Sequence, residues 1–164
     1  MSVNKEQKLI FFHPDFESKL RIPFLKEGVS AGFPSPAADF METNIDLNKE
    51  LSKNPLATFY IKVKGNSMID AGINDKDVLV VDRSMEPQNN KIAICFIDGE
   101  FTVKRIQVEK DCLYLMPENP KFSPIKVTEE NELIIWGIVT YVIKAVWKTY
   151  FIPICLLKKL QLSR

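Results

Sequence analysis

The chain has 164 residues and a formal net charge of +1, from 22 basic and 21 acidic residues. This length supports one compact domain with short extensions and is too small for two sizeable domains. Because the charges are spread along the chain, the sequence shows no basic surface of the kind that binds nucleic-acid phosphates or anionic lipid. Direct sequence-specific DNA binding and a membrane role are therefore disfavoured.

The cysteines and apolar segments indicate a soluble cytoplasmic protein. Cys95, Cys112 and Cys155 are odd in number and widely spaced, which does not indicate a disulfide framework. Cys95 and Cys112 lie in apolar runs and are predicted to be buried thiols of a reducing cytosol. No signal peptide is recognised at the N-terminus. The apolar stretch 150–157 is far shorter than the roughly 20 residues that span a bilayer.

The N-terminal region is predicted to be an extended arm. Residues 1–31 mix apolar and charged residues without a sustained period, and prolines interrupt them. The next stretch, 31–36, combines a glycine with two prolines and favours extended backbone. Extended backbone is the form in which a protease accepts its substrate.

Residues 37–51 carry a mixed polar and apolar pattern that predicts a short helix, with Ser35 or Asp39 near its start. Beyond residue 56 the apolar period becomes two, which is typical of strands. Asp98-Gly99 is a hairpin signal, so a strand is expected to begin at Phe101. The predicted strands are 59–64, 78–81, 92–97, the strand from Phe101, 113–116, 125–127 and 133–146. The fold class is therefore mainly β, with little helix, and the C-terminal tail 149–164 has no assigned role.

Ser67 lies in the turn Lys64-Gly65-Asn66-Ser67-Met68, directly after a predicted strand. Such a turn can expose the serine hydroxyl and present backbone N–H groups to a developing oxyanion. A serine after a glycine is, however, most often only a turn residue. Taken alone, the motif is a weak indication of a nucleophile.

Lys104 lies inside an apolar strand pattern, and alternation places it on the face of Thr102, Ile106 and Val108. Burial on that face would lower its pKa, since desolvation disfavours the ammonium form. A neutral amine can act as a general base toward a nearby hydroxyl. The alternative is an ordinary strand lysine whose ammonium group reaches water.

The sequence also offers candidates for a Ser-His pair and for a metal site. His13 is a candidate base for a Ser-His pair, but it lies in the predicted arm. Acidic residues recur between positions 70 and 82, but they lack a recurring ligand spacing. We interpret them as loop and turn carboxylates, and we expect no metal and no cofactor. The residues concerned are Asp70, Asp75, Asp77 and Asp82.

Four motifs, in order along the chain, resemble the UmuD and LexA-type family of self-cleaving Ser-Lys peptidases. They are Ala31-Gly-Phe-Pro-Ser-Pro-Ala-Ala-Asp39, Gly65-Asn-Ser-Met-Ile-Asp70, Asp98-Gly-Glu-Phe-Thr-Val-Lys-Arg105 and Pro117-Glu-Asn119. The similarity extends from about Ile10 to Lys148, nearly the whole chain.

The resemblance implies a compact peptidase domain, 32–148, whose nucleophile is Ser67 and whose base is Lys104. It implies self-cleavage between Ala31 and Gly32, which removes the arm 1–31, with the N–H groups of Asn66 and Ser67 holding the oxyanion. It further implies a homodimer, stimulation by the RecA filament on single-stranded DNA in the SOS response, and a UmuC-like Y-family translesion DNA polymerase as partner.

The chain departs from the family pattern in three places. Asn66 stands where UmuD proteins carry aspartate, Ala31 replaces a cysteine, and the tail continues past Lys148. Only 31 residues precede the cleavage point, where LexA-like repressors carry a helix-turn-helix domain. Two other functions were considered: a dimeric regulator of a polymerase that acts without cleavage, and a signal-peptidase-like enzyme, which would need a membrane anchor before the serine.

Overall fold

The computed structural model describes residues 10–12, 22–25 and 42–146. Within these residues the chain is mainly β, as the sequence predicted. The elements are β1 (Ile10–Phe12), β2 (Ile22–Leu25), β3 (Glu42–Ile45), α1 (Leu47–Leu51), β4 (Thr58–Lys62), a 3-10 turn (Ile69–Ala71), β5 (Val78–Asp82), β6 (Ile92–Ile97), β7 (Glu100–Val108), β8 (Leu113–Met116), β9 (Ile125–Val127) and β10 (Leu133–Ile143).

Eight of the described strands form one antiparallel sheet in the order β1-β4-β5-β10-β6-β7-β8-β9. The long strand β10 lies at its centre and pairs with β5 on one side and β6 on the other. Its register shifts between Ile135 and Gly137 on the β6 side and between Val139 and Tyr141 on the β5 side. Such bulges bend and twist a strand. The curved sheet therefore buries apolar side chains in two clusters.

One of the two clusters contains a residue next to Ser67 and a residue next to Lys104. Met68 lies directly after Ser67, and Val103 lies directly before Lys104; both are buried in this cluster. The second cluster contains Ala93 and Cys95, on the strand that pairs with β7. Burying these apolar surfaces stabilises the fold by about 25 cal/mol per Å² removed from water. Both Ser67 and Lys104 are thus attached to well-packed parts of the domain.

The hairpin between β6 and β7 follows the prediction closely. Asp98 and Gly99 both have positive φ, 49° and 87° respectively. Two consecutive residues with positive φ are typical of the tight turns whose twist matches that of the paired strands. The turn sets the register of β7 on β6, so that Lys104 lies opposite Ala93.

The helix predicted for 37–51 is wrong over the first half of its described length. Glu42–Ile45 is a strand that pairs with Ile22–Leu25, and the helix comprises only Leu47–Leu51. The cap is Asp46, whose carboxylate accepts hydrogen bonds from the N–H groups of Asn48 and Lys49. Residues 37–41, and with them Ser35 and Asp39, lie outside the described residues.

The N-terminal region contributes two strands that the sequence analysis did not predict. β1 pairs with β4 at one end of the large sheet. β2 pairs with β3 in a separate two-stranded sheet, where Leu25 lies opposite Glu42. The division of the chain into an arm, a peptidase domain and a tail stays a prediction, and most residues of the arm and tail lie outside the described ranges.

Candidate active site

Ser67 is held in a turn between β4 and the 3-10 turn. Gly65 has φ of 97°, a conformation that side-chain-bearing residues rarely adopt. Its N–H group donates a hydrogen bond of 2.8 Å to the carboxylate of Asp75. On the other side of the serine, Met68 is only 2% exposed, and its carbonyl accepts a hydrogen bond from the N–H of Ile73. The serine therefore lies between two anchored neighbours.

Lys104 is brought to this turn by β7. The residue is only 6% exposed, although lysine is seldom buried without partners. Its Nζ atom lies 3.1 Å from the Oγ atom of Ser67, 2.8 Å from the Oγ1 atom of Thr102 and 3.1 Å from the carbonyl oxygen of Val103. The structure thus joins two side chains that are 37 positions apart in the sequence.

The surroundings of Lys104 favour its neutral form. Burial lowers the pKa of Lys104, because desolvation disfavours the ammonium ion; interaction with Cys95 acts in the opposite direction and is the smaller effect. Burial in turn raises the pKa of Cys95 to about 12, so this thiol stays uncharged near neutral pH. The face that carries Lys104 is therefore mostly apolar, as the strand alternation indicated.

Lys104 donates to all three of its partners, the Ser67 hydroxyl, the Thr102 hydroxyl and the Val103 carbonyl. An ammonium ion has three donors and no acceptor, whereas a neutral lysine has two N–H donors and one lone pair. When the amine is neutral, two N–H bonds can remain on Val103 and Thr102, and the lone pair can accept the hydroxyl hydrogen of Ser67. This arrangement can remove the proton of Ser67 during nucleophilic attack.

A loop after β8 holds the serine turn from the opposite side. The N–H of Glu118 donates to the carbonyl of Ser67, and the carbonyl of Glu118 accepts from the N–H of Asp70, each at 2.8 Å. The Nδ2 atom of Asn119 donates a 2.7 Å hydrogen bond to the carbonyl of Asn66. These three contacts connect the loop to residues before, at and after the nucleophile position.

Sequence reasoning missed this loop as a support of the turn. The motif 117–119 entered only through the resemblance, since nothing local indicates which distant carbonyls it contacts. Arg105 is the available signal: it points away from Lys104 along the strand, and it forms an ion pair with Glu118. A charged residue beside a candidate base would have indicated that an acidic partner lies near the site.

The backbone amides of Asn66 and Ser67 are the expected oxyanion donors. Within the described residues, no acceptor bonds the N–H groups of Asn66 or Ser67. A small pocket opens beside the serine, and its lining includes Gly65, Phe101 and Thr102. Ser67 lines this pocket and Asn66 does not. Backbone N–H groups beside a nucleophile are the donors from which an oxyanion hole is built, so the oxyanion role of these two amides stays a prediction.

The remaining residues that the sequence analysis named as site candidates are the proposed cleavage site, His13 and the acidic residues between positions 70 and 82. Ala31, Gly32 and His13 lie outside the described residues. Asp75 and Asp77 accept N–H bonds from Gly65 and Asn74, in keeping with their interpretation as loop carboxylates. That interpretation is wrong for Asp82, which is buried as the last residue of β5. Among the described residues, no group of three or more His, Cys, Asp or Glu side chains is arranged to hold a metal.

The cysteine prediction is partly wrong. Cys95 is fully buried, as expected, but Cys112, which lies directly before β8, is only half-buried. Cys155 lies outside the described residues. A search of the described helices found none with the length and apolar character needed to cross a bilayer.

Comparison with known proteins identifies the family. Residues 23–140 match the Peptidase S24-like family. The chain is 42% identical to Protein MucA of Salmonella typhimurium over 122 residues, which cover 73% of this chain and 82% of that protein. It is 43% identical to Protein ImpA of Escherichia coli over 122 residues, with coverages of 74% and 82%.

A more distant relative links the chain to the repressors. The LexA repressor of Bordetella avium is 37% identical over 128 residues, which cover 77% of this chain and 59% of that protein. The family match at 23–140 includes the Ser67 turn, strand β7 and the loop at 117–119. Together with the relatives, it supports an autoproteolytic serine peptidase in general terms. The chain belongs to the peptidase S24-like family, and within it to the UmuD and LexA type.

Proposed function

We propose that this chain is a serine endopeptidase that cuts its own Ala31–Gly32 bond, with Ser67 as nucleophile and Lys104 as general base. The observation that carries the proposal is the 3.1 Å contact between the Ser67 hydroxyl and the amine of a lysine whose pKa burial lowers. The distance is within hydrogen-bond reach, and the lowered pKa favours the neutral amine that a base needs to activate a hydroxyl.

The reaction then follows two steps. Lys104 takes the hydroxyl proton while Ser67 Oγ attacks the carbonyl carbon of Ala31, and the N–H groups of Asn66 and Ser67 hold the oxyanion. Lys104 returns the proton to the amine of Gly32 as the peptide bond breaks, which leaves an acyl-enzyme on Ser67. Water, deprotonated by the same lysine, hydrolyses this ester and frees residues 1–31 from residues 32–164.

The substrate is part of the enzyme, and the pairing of β2 with β3 restricts where it can go. Leu25 and Glu42 lie opposite each other, and the proposed scissile bond lies in the stretch between them. Both ends of this stretch are therefore held together, which gives the segment a high effective concentration at the domain. The docking of the segment against Ser67 becomes the step that controls cleavage.

The biological setting is proposed from the family. We assign the protein to the SOS response, where a RecA filament on single-stranded DNA favours the docked conformer. The trimmed protein acts as a dimer and as an accessory subunit of a UmuC-like Y-family translesion polymerase. Membership of the UmuD and LexA type supports this assignment.

The test is incubation of the purified protein across a pH series, followed by mass spectrometry of the intact products. Cleavage should speed up as pH rises through the pKa of Lys104 and should yield residues 32–164. Ser67→Ala and Lys104→Ala should abolish it, whereas the exposed controls Ser123→Ala and Lys62→Ala should cut normally.

A chain that stays intact at alkaline pH and with activated RecA would refute the peptidase proposal. The function left would be a dimeric regulator that binds a translesion polymerase without cleavage. A new terminus at a position other than Gly32 would refute the assignment of the scissile bond alone.

A further inference from the structure

β1 is the only described strand on the outer side of β4. Ile10, Phe11 and Phe12 lie opposite Lys62, Ile61 and Tyr60 in antiparallel register. The inner side of β4 pairs with β5 along its whole length, Thr58–Lys62. Without β1, the outer backbone groups of β4 would form the edge of the large sheet.

β1 lies before the proposed scissile bond, so cleavage changes how strongly it is held. In the uncut chain, β1 is tethered to the domain, and short tethers give effective concentrations on the order of millimolar. After the Ala31–Gly32 bond is cut, the arm is a separate peptide that pairs through only two short strands, β1 and β2. At ordinary protein concentrations it is diluted away, and the edge of β4 is uncovered.

An uncovered edge of this kind binds protein strands. A row of unpaired N–H and C=O groups is a template for an added strand, and native proteins usually cover or disfavour such edges. β4 is firmly attached to the core, since Phe59 and Ile61 are buried. It is therefore a preformed strand that loses nothing in ordering when a partner pairs with it.

We propose that the outer edge of β4 is a protein-binding edge, which β1 blocks at Tyr60–Lys62 in the uncut chain and which an extended apolar strand of a partner protein occupies after cleavage. The proposal rests on the proposed self-cleavage for the event that uncovers the edge. After cleavage, a strand of another protein thus takes the place of β1 beside β4.

The chemistry of the partner strand follows from the occupant that the structure shows. β1 is Ile-Phe-Phe, which indicates a short, apolar, extended segment. Phe12 remains 52% exposed while paired, so β1 places only part of its apolar surface against the domain. A second trimmed copy does not fit this role, because it has lost β1 and so cannot supply that strand.

The experiment removes the arm without using the active site. A recognition sequence for an unrelated protease is inserted after Ala31 in the full chain that carries Ser67→Ala, and the arm is cut and separated. The probe is a fluorescent peptide with the sequence of residues 8–14, which includes β1. It should bind the cut protein at least ten times more tightly than the uncut protein. The same peptide N-methylated at Ile10 and Phe11 should not bind.

Hydrogen exchange locates the binding. Amides of residues 58–62 that face β1 should exchange faster after the arm is removed, and added peptide should restore their protection, while amides that pair with β5 stay protected. In the uncut chain, the double substitution Ile10→Pro and Phe11→Pro should raise peptide binding without cleavage. Two adjacent prolines are used because neighbouring N–H groups point to opposite sides of a strand, so one of them faces β4.

Equal peptide binding by the cut and uncut proteins, or unchanged exchange at 58–62, would overturn the proposal. A cut protein that associates with itself through β4 and excludes the peptide would also overturn it, in favour of self-pairing. If the wild type fails to cleave itself but the protease-cut protein binds the peptide, the edge proposal stands and only the peptidase proposal fails.

Discussion

Thr102 is predicted to set both the rate and the pH dependence of self-cleavage. Its hydroxyl accepts a 2.8 Å hydrogen bond from Lys104, and Thr102→Val removes this acceptor while keeping the shape of the side chain. A bond to the neutral amine is worth about 0.5–1.5 kcal/mol, so loss of this orientation should slow cleavage on the alkaline plateau by about 2- to 13-fold.

The pH dependence should change in a direction that the structure determines. Hydrogen bonds to charged groups are stronger than those to neutral groups, so Thr102 stabilises the ammonium form of Lys104 more than the amine. Its removal should lower the pKa of Lys104 further, below the value already reduced by burial. The midpoint of the rate profile should therefore move to lower pH while the plateau falls.

The assay is the rate of appearance of the 32–164 fragment, measured by mass spectrometry at a series of pH values. Thr102→Ser is the matched control, since it keeps the hydroxyl and should keep the wild-type midpoint. A midpoint that moves to higher pH in Thr102→Val, or a profile identical to that of the wild type, would show that Thr102 does not orient the base.

Three further predictions concern the same site. Lys104→Met should change how the free energy of unfolding depends on pH. Between the lowered pKa of Lys104 in the folded protein and its value of about 10.4 in the unfolded chain, the unfolded wild type binds more protons than the folded wild type. In this range the unfolding free energy of the wild type should therefore rise with pH relative to that of the variant. Urea titrations at several pH values measure this difference, and a constant value would contradict it. Asn119→Ala removes the bond to the Asn66 carbonyl and should slow cleavage by about 2- to 13-fold without moving the pH midpoint; a wild-type rate in the fragment assay would count against a positioning role. Iodoacetamide should modify Cys112 but not Cys95 in the folded protein, because Cys95 is fully buried and its pKa is raised to about 12; peptide mapping that finds Cys95 labelled under native conditions would disprove the burial argument.

The strands of the domain could be predicted because each is bounded by local signals. The limits of β6, β8 and β9 are those expected from the apolar runs and turns, and the Asp98-Gly99 turn places β7 after β6. The helix over 37–51 was predicted wrongly, because the pairing of β3 with β2 is a non-local interaction that overrides a weak helical pattern. β1 was missed for the same reason, since its three residues become a strand only through β4.

The site was partly predictable. The structure places Ser67 and Lys104 in contact, as the chemistry of the two motifs required, while their catalytic roles stay predictions. The support from Glu118 and Asn119 could not be derived, because a hydrogen bond between residues some 50 positions apart leaves no periodic trace in either segment. Chemical reasoning can predict that the side chains of Ser67 and Lys104 lie together, but it does not predict which backbone contacts hold them in position.

The pairing of β2 with β3 means that cutting the proposed bond would not by itself separate the two products. The proposed break falls between strands that are bonded to each other, so the cut chain should stay together until those bonds open. A denaturing gel should then detect the cut before a native measurement of size detects loss of residues 1–31. The delay between the two signals measures how long the β2–β3 pairing lasts after the cut.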